Sequence, residues 1–579
     1  MSRSPLHLTL CLLVAALALD VRAEAPLHER IDAAVESHAA ANKIAVAPPA
    51  DDAEFLRRLY LDLTGTLPTV DEARAFLADK DPAKRQKLID KLLADDRFPR
   101  RMAEAMTVMF MERRLAPDKP EIEQFESYLR GALAANKPAD QIVAEMLSPT
   151  PDDEATRGAT IFLAKRLENY GQNPVDYPML TRDVGRMFLG VDLQCAQCHN
   201  HLTVREYKQS DFQGLFAFVG HSYLRKDVSY PAVGEKLVDK KIEFASVFAG
   251  EKREIGPRLP AMEEVSIPVF DKGQEWQTPP DKAKKSLGVP KFSPLKVLSQ
   301  QLPTAQNPLF KRNMANRLWY LMVGRGVVHP LDLHHKDNPP SVAALLDVLA
   351  EDFASSGFDI KRYVREIALS RTYQRSSRLP EAASGQMPQP GSFAVAPLKR
   401  LSPEQLLHAS LMATGDWEKV SSRRAEPAAT KPVAAADADV EETESPAKKG
   451  QGKPLTLKEL RKKFVTAFAA PAGEPEIEFS PTVAAALFVL NDDSTLEWLT
   501  RRDGNLIDRL AKIDDSAKVA EELYLSVLTR MPTDEERADV AGHLTAKQEP
   551  GGSAAGNRDR AIGELVWSLL ASTEFAVNH

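Results

Sequence analysis

The chain has 579 residues, enough for two or three domains that each bury a full core. Its make-up, 43% hydrophobic, 27% charged and 7% aromatic, is that of an ordinary globular protein. A formal charge of −7 without a basic stripe sets nucleic-acid binding aside.

Residues 1–23 read as an export signal. Arg3 gives a positive start, LTLCLLVAALAL (8–19) a short apolar core, and Val21-Arg22-Ala23 small residues for cleavage. Twelve apolar residues are too few to span a bilayer, which needs about 20, so an uncleaved anchor is the lesser alternative. No later segment is long and apolar enough to span. The expected product is soluble and exported to the periplasm or cell envelope, starting at Glu24. Cleavage removes Cys11 and leaves Cys195 and Cys198 as the only cysteines, so no disulfide framework can form.

From residue 24 to 224 the pattern is helical. Phe55, Leu56, Leu59, Tyr60 and Leu63 recur at helical spacing, as do Leu88, Ile89, Leu92 and Leu93. LYLDLTGTLPTVDE (59–72) is echoed by LYLSVLTRMPTDEE (523–536), with Leu-Tyr-Leu, Pro-Thr and Glu at identical spacing. Each copy reads as a helix, a turn at the proline, and a capping box for the next helix, from Thr69 with Glu72 and from Thr533 with Glu536.

LGVDLQCAQCHNHLTVREYKQSDFQGLFAFVG (189–220) holds Cys195, Cys198 and His199 as C-x-x-C-H, with His201 two residues on. Two thiols at this spacing can add to the two haem vinyl groups, which sets His199 under the iron as proximal ligand. Met187, Phe188, Leu189, Phe212, Leu215, Phe216 and Phe218 are available as apolar walls. A thioredoxin-like pair wants a βαβ setting that the sequence lacks, and a bare Cys195–Cys198 disulfide would close a very small loop. Zinc held by Cys195, Cys198 and His201 is the serious rival. His201 cannot be the sixth haem ligand, since two residues of chain span at most about 7 Å; it is either a hydrogen-bonding neighbour of the haem or a zinc ligand. Met187 and His221 are weak candidates for the sixth position, with water as a further one.

Residues 225–300 change character. VSYPAV, KIEFASVFAG and EEVSIPVF are short, β-branched or aromatic, and broken by Pro and Gly, which predicts a small β-rich connector. Residues 301–420 and 456–579 return to helix, for example at Leu345, Leu346, Leu349 and Phe353. HPLDLHHKDNPP (329–340) gathers His329, Asp332, His334, His335 and Asp337, types that bind metals but at no standard spacing. It reads as a solvated loop before a helix starting near Ser341. Residues 421–455 carry Ala, Pro, Glu and Lys with almost no large apolar residue and read as a disordered linker in the second helical domain. The expected fold is thus mainly α: two helical domains, a small β-rich insert between them, and that linker. G-x-S-x-G, H-E-x-x-H and P-loop motifs are absent, so nothing marks an enzyme, including one acting on envelope polysaccharide.

FLRRLYLDLTGTLPTVDEARAFLADKDPAKRQKLIDKLLADDRF (55–98) with FLGVDLQCAQCHNH (188–201) resembles the planctomycete cytochrome-associated domain of unknown function. NPLFKRNMANRLWYLMVGRGVVHPLDLHHKDNPPS (307–341), LSRTYQRSS (369–377), LKRLSPEQLLHASLMATG (398–415) and the closing LYLSVLTRMPTDEE resemble its usual C-terminal companion. The resemblance implies an exported, mostly helical protein named for a haem-like C-x-x-C-H, with no established reaction. Cys195, Cys198 and His199 match that motif residue for residue. Departures follow it: Asn200, His201 and Leu202 stand where the family has aspartate, histidine and proline. Tyr207 stands for a tryptophan, Val342 for a histidine and His408 for an aspartate, and no second C-x-x-C-H is present. The implied function is a single c-type haem in electron transfer or redox sensing with an envelope partner. A structural or binding protein with zinc or no metal is the alternative.

Overall fold

A computed structural model describes residues 25–169, 172–248, 250–379, 387–423, 454–474, 476, 488, 492–546 and 554–579. The expected export signal and nearly all of the expected linker lie outside the described residues.

Most described elements are helices, and they form where the apolar spacing predicts them. Asp52–Leu63 buries Phe55, Leu56, Leu59 and Tyr60 and is capped by the Asp51 side chain, which accepts from the Glu54 amide at 2.8 Å. Lys84–Leu93 buries Leu88, Ile89, Leu92 and Leu93. Ala343–Ser355 buries Leu345, Leu346, Leu349 and Phe353 and starts two residues after Ser341.

The two copies of the internal echo fold alike. The Glu72 amide donates to Thr69 Oγ1 while Glu72 Oε2 accepts from the Thr69 amide, and Glu536 repeats both bonds with Thr533. Gly65 and Thr529 occupy the same place in the repeat, and both adopt left-handed backbone, φ 68° and 62°. Arg97 lies over the Tyr60 ring in the first copy and Arg530 over Tyr524 in the second, at 5.8 and 5.2 Å. The segments that carry the copies also meet: Arg74, just past the first copy, pairs with Glu521 and Glu522, just ahead of the second, and Arg57 donates to the Val527 carbonyl at 3.2 Å.

Two hydrophobic cores organise the helices. One joins residues from Leu27 to Phe218 with Pro308–Val323, Ala343–Ser355 and Ile360–Leu369, so helices of both halves of the sequence share it. The other gathers Pro403–Thr414, Leu457–Phe468, Leu506–Ala511 and Ser516–Leu528, with Leu61 and Leu67 reaching in from the N-terminal half.

Strands occur only as two-stranded antiparallel ribbons among the described residues. Three lie in or at the edge of the connector: Ser222–Leu224 with Val233–Glu235, Ile242–Ala245 with Lys252–Ile255, and Trp276–Thr278 with Val289–Pro290. The stretch EEVSIPVF forms no ladder, which corrects that expectation. Pro268 removes one amide donor from it, and proline inside a short run disfavours strand pairing. The fourth ribbon pairs Lys399–Arg400 with Val577–Asn578.

The two ends of the expected linker are joined: Arg423 Nη1 donates to the Leu455 carbonyl at 2.8 Å. Replacing residues 424–453 by a short Gly-Ser bridge is therefore expected to move the melting temperature by less than about 2 °C. A drop well beyond that in calorimetry would show that the removed segment packs on the fold.

Candidate functional site

The C-x-x-C-H segment hangs from a helix that ends tightly. Tyr177–Val184 runs on into a wider π turn, Gly185–Leu189, and closes at Gly190 in left-handed backbone, φ 70°. A Cβ at Gly190 would come within 2.6 Å of the His334 ring, so glycine is needed for space as well as for φ. Val191 then bridges to Leu333, which fixes where the next residues emerge.

Cys195–Gln197 forms one 3₁₀ turn, with Cys198 following in right-handed helical backbone. Side chains three apart eclipse in such a turn. Cys195 and Cys198 therefore stand on one side, and both are exposed free thiols, while Leu193 and Ala196 anchor the turn in the core. The Gln197 carbonyl accepts from Gln213 Nε2 at 3.0 Å, and the Cys198 carbonyl accepts from the Val247 amide at 3.1 Å. These bonds tie the motif to helix Gln209–Val219 and to the loop between strands Ile242–Ala245 and Lys252–Ile255.

That loop brings apolar surface to the motif. The Phe248 ring lies 4.8 Å from the His199 ring yet is 72% exposed, and its chain neighbour Val247 is 66% exposed; Leu202, three residues past His199, is 75% exposed. Large apolar side chains left open close to the motif are surface that a bound group or a partner would cover.

The two histidines differ in what their nitrogens do. His199 Nδ1 donates to the Asn200 carbonyl at 2.6 Å, which fixes the tautomer and leaves the Nε2 lone pair free for a metal. His201 Nδ1 instead accepts, from the Val204 amide at 3.0 Å and the Thr203 amide at 3.3 Å. A neutral ring that accepts at Nδ1 carries its proton on Nε2, so His201 has no free lone pair for zinc. Among the described residues, no three His, Cys, Asp or Glu side chains converge into a metal-binding group.

Of the two weak candidates for a sixth haem ligand, Met187 is buried and His221 lies past the end of the helix that the motif contacts. Met187 is closed in the core, with its carbonyl accepting from Asn313 Nδ2 at 2.8 Å. His221 follows the far end of helix Gln209–Val219, roughly 18 Å from Gln209 at about 1.5 Å rise per residue, while the motif lies at the helix start.

The loop 329–340 is not simply solvated, a second correction. Asp332 accepts from Arg186 at 2.9 Å and also pairs with Arg317, and the His334 side chain packs over Gly190. Burial, aided by Arg317 and Arg312, pushes the His334 imidazole down to about 3, which keeps it neutral. Asp332 is one corner of a buried ion network that the sequence did not signal. In it Arg186 also reaches Glu112 and Asp183, and Asp183 pairs with Arg166 at 2.8 Å and Arg114 at 3.2 Å. These charges gather around the π turn Gly185–Leu189, and through Arg186 they lock Arg317 and Asp332 onto it.

Between the motif segment, the connector and the N-terminus of helix Pro308–Val323 lies a cleft of about 570 Å³. Tyr207 separates it from His201: its ring edge faces His201 at 5.9 Å on one side and His335 at 5.7 Å on the other.

Two family descriptions match the chain. Residues 30–223 match PSCyt2, described as "Protein of unknown function (DUF1549)", and residues 296–544 match PSD1, described as "Protein of unknown function (DUF1553)". Neither a curated protein nor a solved structure matches the chain. The chain therefore belongs to the family of proteins in which a PSCyt2 domain is followed by a PSD1 domain, both of unknown function.

Proposed function

We propose that this is an exported protein carrying one covalent haem c at Cys195 and Cys198, which serves electron transfer or redox sensing in the cell envelope. The observation that carries the reading is the pairing of two exposed thiols on one face with a His199 whose Nδ1 is committed to a carbonyl. That donor set suits haem: thiols free to add across vinyl groups, and Nε2 oriented as proximal ligand. When bound, the haem supplies one-electron chemistry. The chain's own part would be to hold it with Cys195, Cys198 and His199, with the exposed Phe248 ring beside His199 as adjoining apolar surface. An attachment turn at the surface suits exchange with a partner protein. His201, committed to backbone amides, acts by shaping the turn rather than as a ligand. No helix among the described residues is long and apolar enough to cross a membrane.

Expression in a host that matures haem c tests this. The haem is expected to stay with the chain through denaturation and acid–organic extraction, and replacing both Cys195 and Cys198 by alanine should abolish that retention. His199→Ala should change the absorption spectrum, while His201→Ala should leave it nearly unmoved. N-terminal sequencing is expected to start near Glu24. Colourless protein containing stoichiometric zinc, released by His201→Ala, would overturn the proposal.

A further inference from the structure

The cleft beside the motif has a lining that calls for a ligand of its own. Its volume, about 570 Å³, falls inside the range of about 300–1,000 Å³ in which small molecules bind. Val191, Leu193, Leu309, Val328, Pro339 and Pro340 give it mostly apolar walls, and the prolines hold much of the rim in a fixed shape.

Against those walls stand polar groups with unused capacity. Glu206 Oε1, His334 Nε2 and His335 Nδ1 have no hydrogen-bond partner in the protein and are shut away from bulk water. Orphaned polar atoms of this kind cost about 1–3 kcal/mol each until a partner arrives. The carboxylate can only accept, and the orphaned nitrogen of each imidazole ring donates or accepts according to its tautomer. A hydroxyl does both, so the complementary ligand brings hydroxyl groups.

Charge narrows the class further. The cationic wall residues already have partners: Arg312 pairs with Asp347, and Lys336, largely in solvent, lies 4.0 Å from Glu206. Asp211 pairs with Arg258 at 2.8 Å. The wall is close to electroneutral, so it favours neither an anion nor a cation. Tyr207 adds an aromatic ring whose hydroxyl is already spent on the His334 carbonyl at 3.2 Å.

We propose that this cleft binds a neutral, hydroxyl-bearing aromatic molecule of more than one ring. The apolar walls take the ring faces, Glu206 takes a hydroxyl hydrogen, and His334 and His335 bond the hydroxyl groups. The site stands whether or not Cys195 and Cys198 carry haem.

Calorimetric titration of the full chain with dihydroxynaphthalene, naphthalenesulfonate and cellobiose tests it. Dihydroxynaphthalene should bind at least about tenfold more tightly than the anion, which lacks the donors, and than the sugar, which lacks the rings. Leu309→Trp, which fills the cleft from its rim, should abolish that binding while the melting temperature and circular dichroism hold. Glu206→Gln should weaken it about tenfold by removing a charged acceptor. Equal or tighter binding of sulfonate or cellobiose, no binding of the diol, or diol binding indifferent to both substitutions would each overturn the proposal.

Discussion

Asp183→Ala is expected to lower the unfolding free energy by about 3–5 kcal/mol at neutral pH, because it strands a buried charge. The Arg166 side chain is 0% exposed and Asp183 is 1% exposed, and the carboxylate accepts from Arg166 Nε at 2.8 Å. Arg166 would keep the Phe162 and Phe110 carbonyls, at 3.0 and 2.8 Å, but lose its only paired anion. The network holds Arg114, Arg166, Arg186 and Arg317 against Glu112, Asp183 and Asp332, so the substitution raises an existing excess of positive charge. Burial alone would raise the Asp183 carboxyl, but Arg166, Arg114 and Arg186 outweigh it and hold it below the usual range. Its contribution is therefore present above about pH 4 and fades as pH falls through its folded pKa. Removing both partners in Arg166→Met with Asp183→Leu should recover most of the loss, since a buried pair is worth little over an apolar isostere. Urea unfolding at constant slope measures this; a loss under about 1 kcal/mol for Asp183→Ala would show the network to be well hydrated.

What could be read from the sequence was whatever is local. Helix positions follow from apolar spacing, and the capping boxes at Thr69 and Thr533 follow from residues three apart. The C-x-x-C-H turn is likewise one short piece of chain. Groups assembled from distant segments left no trace. Glu112, Asp183 and Asp332 come together only because Arg186 reaches across 74 residues in one direction and 146 in the other. Arg186 lies between Val184 and Met187 in an apolar stretch, which is the one hint that a buried charge needed partners. The loop 329–340 misled for a similar reason: its histidines and aspartates look solvated until Gly190 is known to leave room for His334. His408, the departure from the family's aspartate, is buried against Trp417 at 5.1 Å, within a cluster of charges drawn from Arg100 to Arg461. Nor does sequence order foretell that the helices after residue 308 complete the core of the N-terminal half.

That cluster around His408 yields the other large effect, and it has the opposite pH dependence from Asp183. Glu104 is buried on Arg97–Met111, and its Oε2 has no hydrogen-bond partner. Burial pushes its carboxyl up to about 7; Arg100 and Arg461 pull against this, while Glu126 and Glu404 add to it. The Arg461 guanidinium is already spent on Glu126, at 2.5 and 2.7 Å, so Glu104 is left as the unpaired acid of the group. His408 beside them is held neutral by burial, with Arg100 and Arg461 reinforcing it, and it offers no compensating charge. A folded pKa above the unfolded value of about 4.3 means the protonated acid is favoured by the fold. The associated stability is complete below about pH 4 and is lost as pH rises through about 7, a cost of roughly 3 kcal/mol once the carboxylate is forced to ionise inside. Glu104→Gln keeps the shape and removes the titration. It is expected to match the parent near pH 4 and to exceed it by about 3 kcal/mol at pH 8.5, with most of the divergence between pH 5 and 8. Unfolding curves of both proteins across that range decide the matter. A difference that stays constant with pH would mean that Glu104 ionises at an ordinary value and that Arg100 and Arg461 stabilise its carboxylate after all.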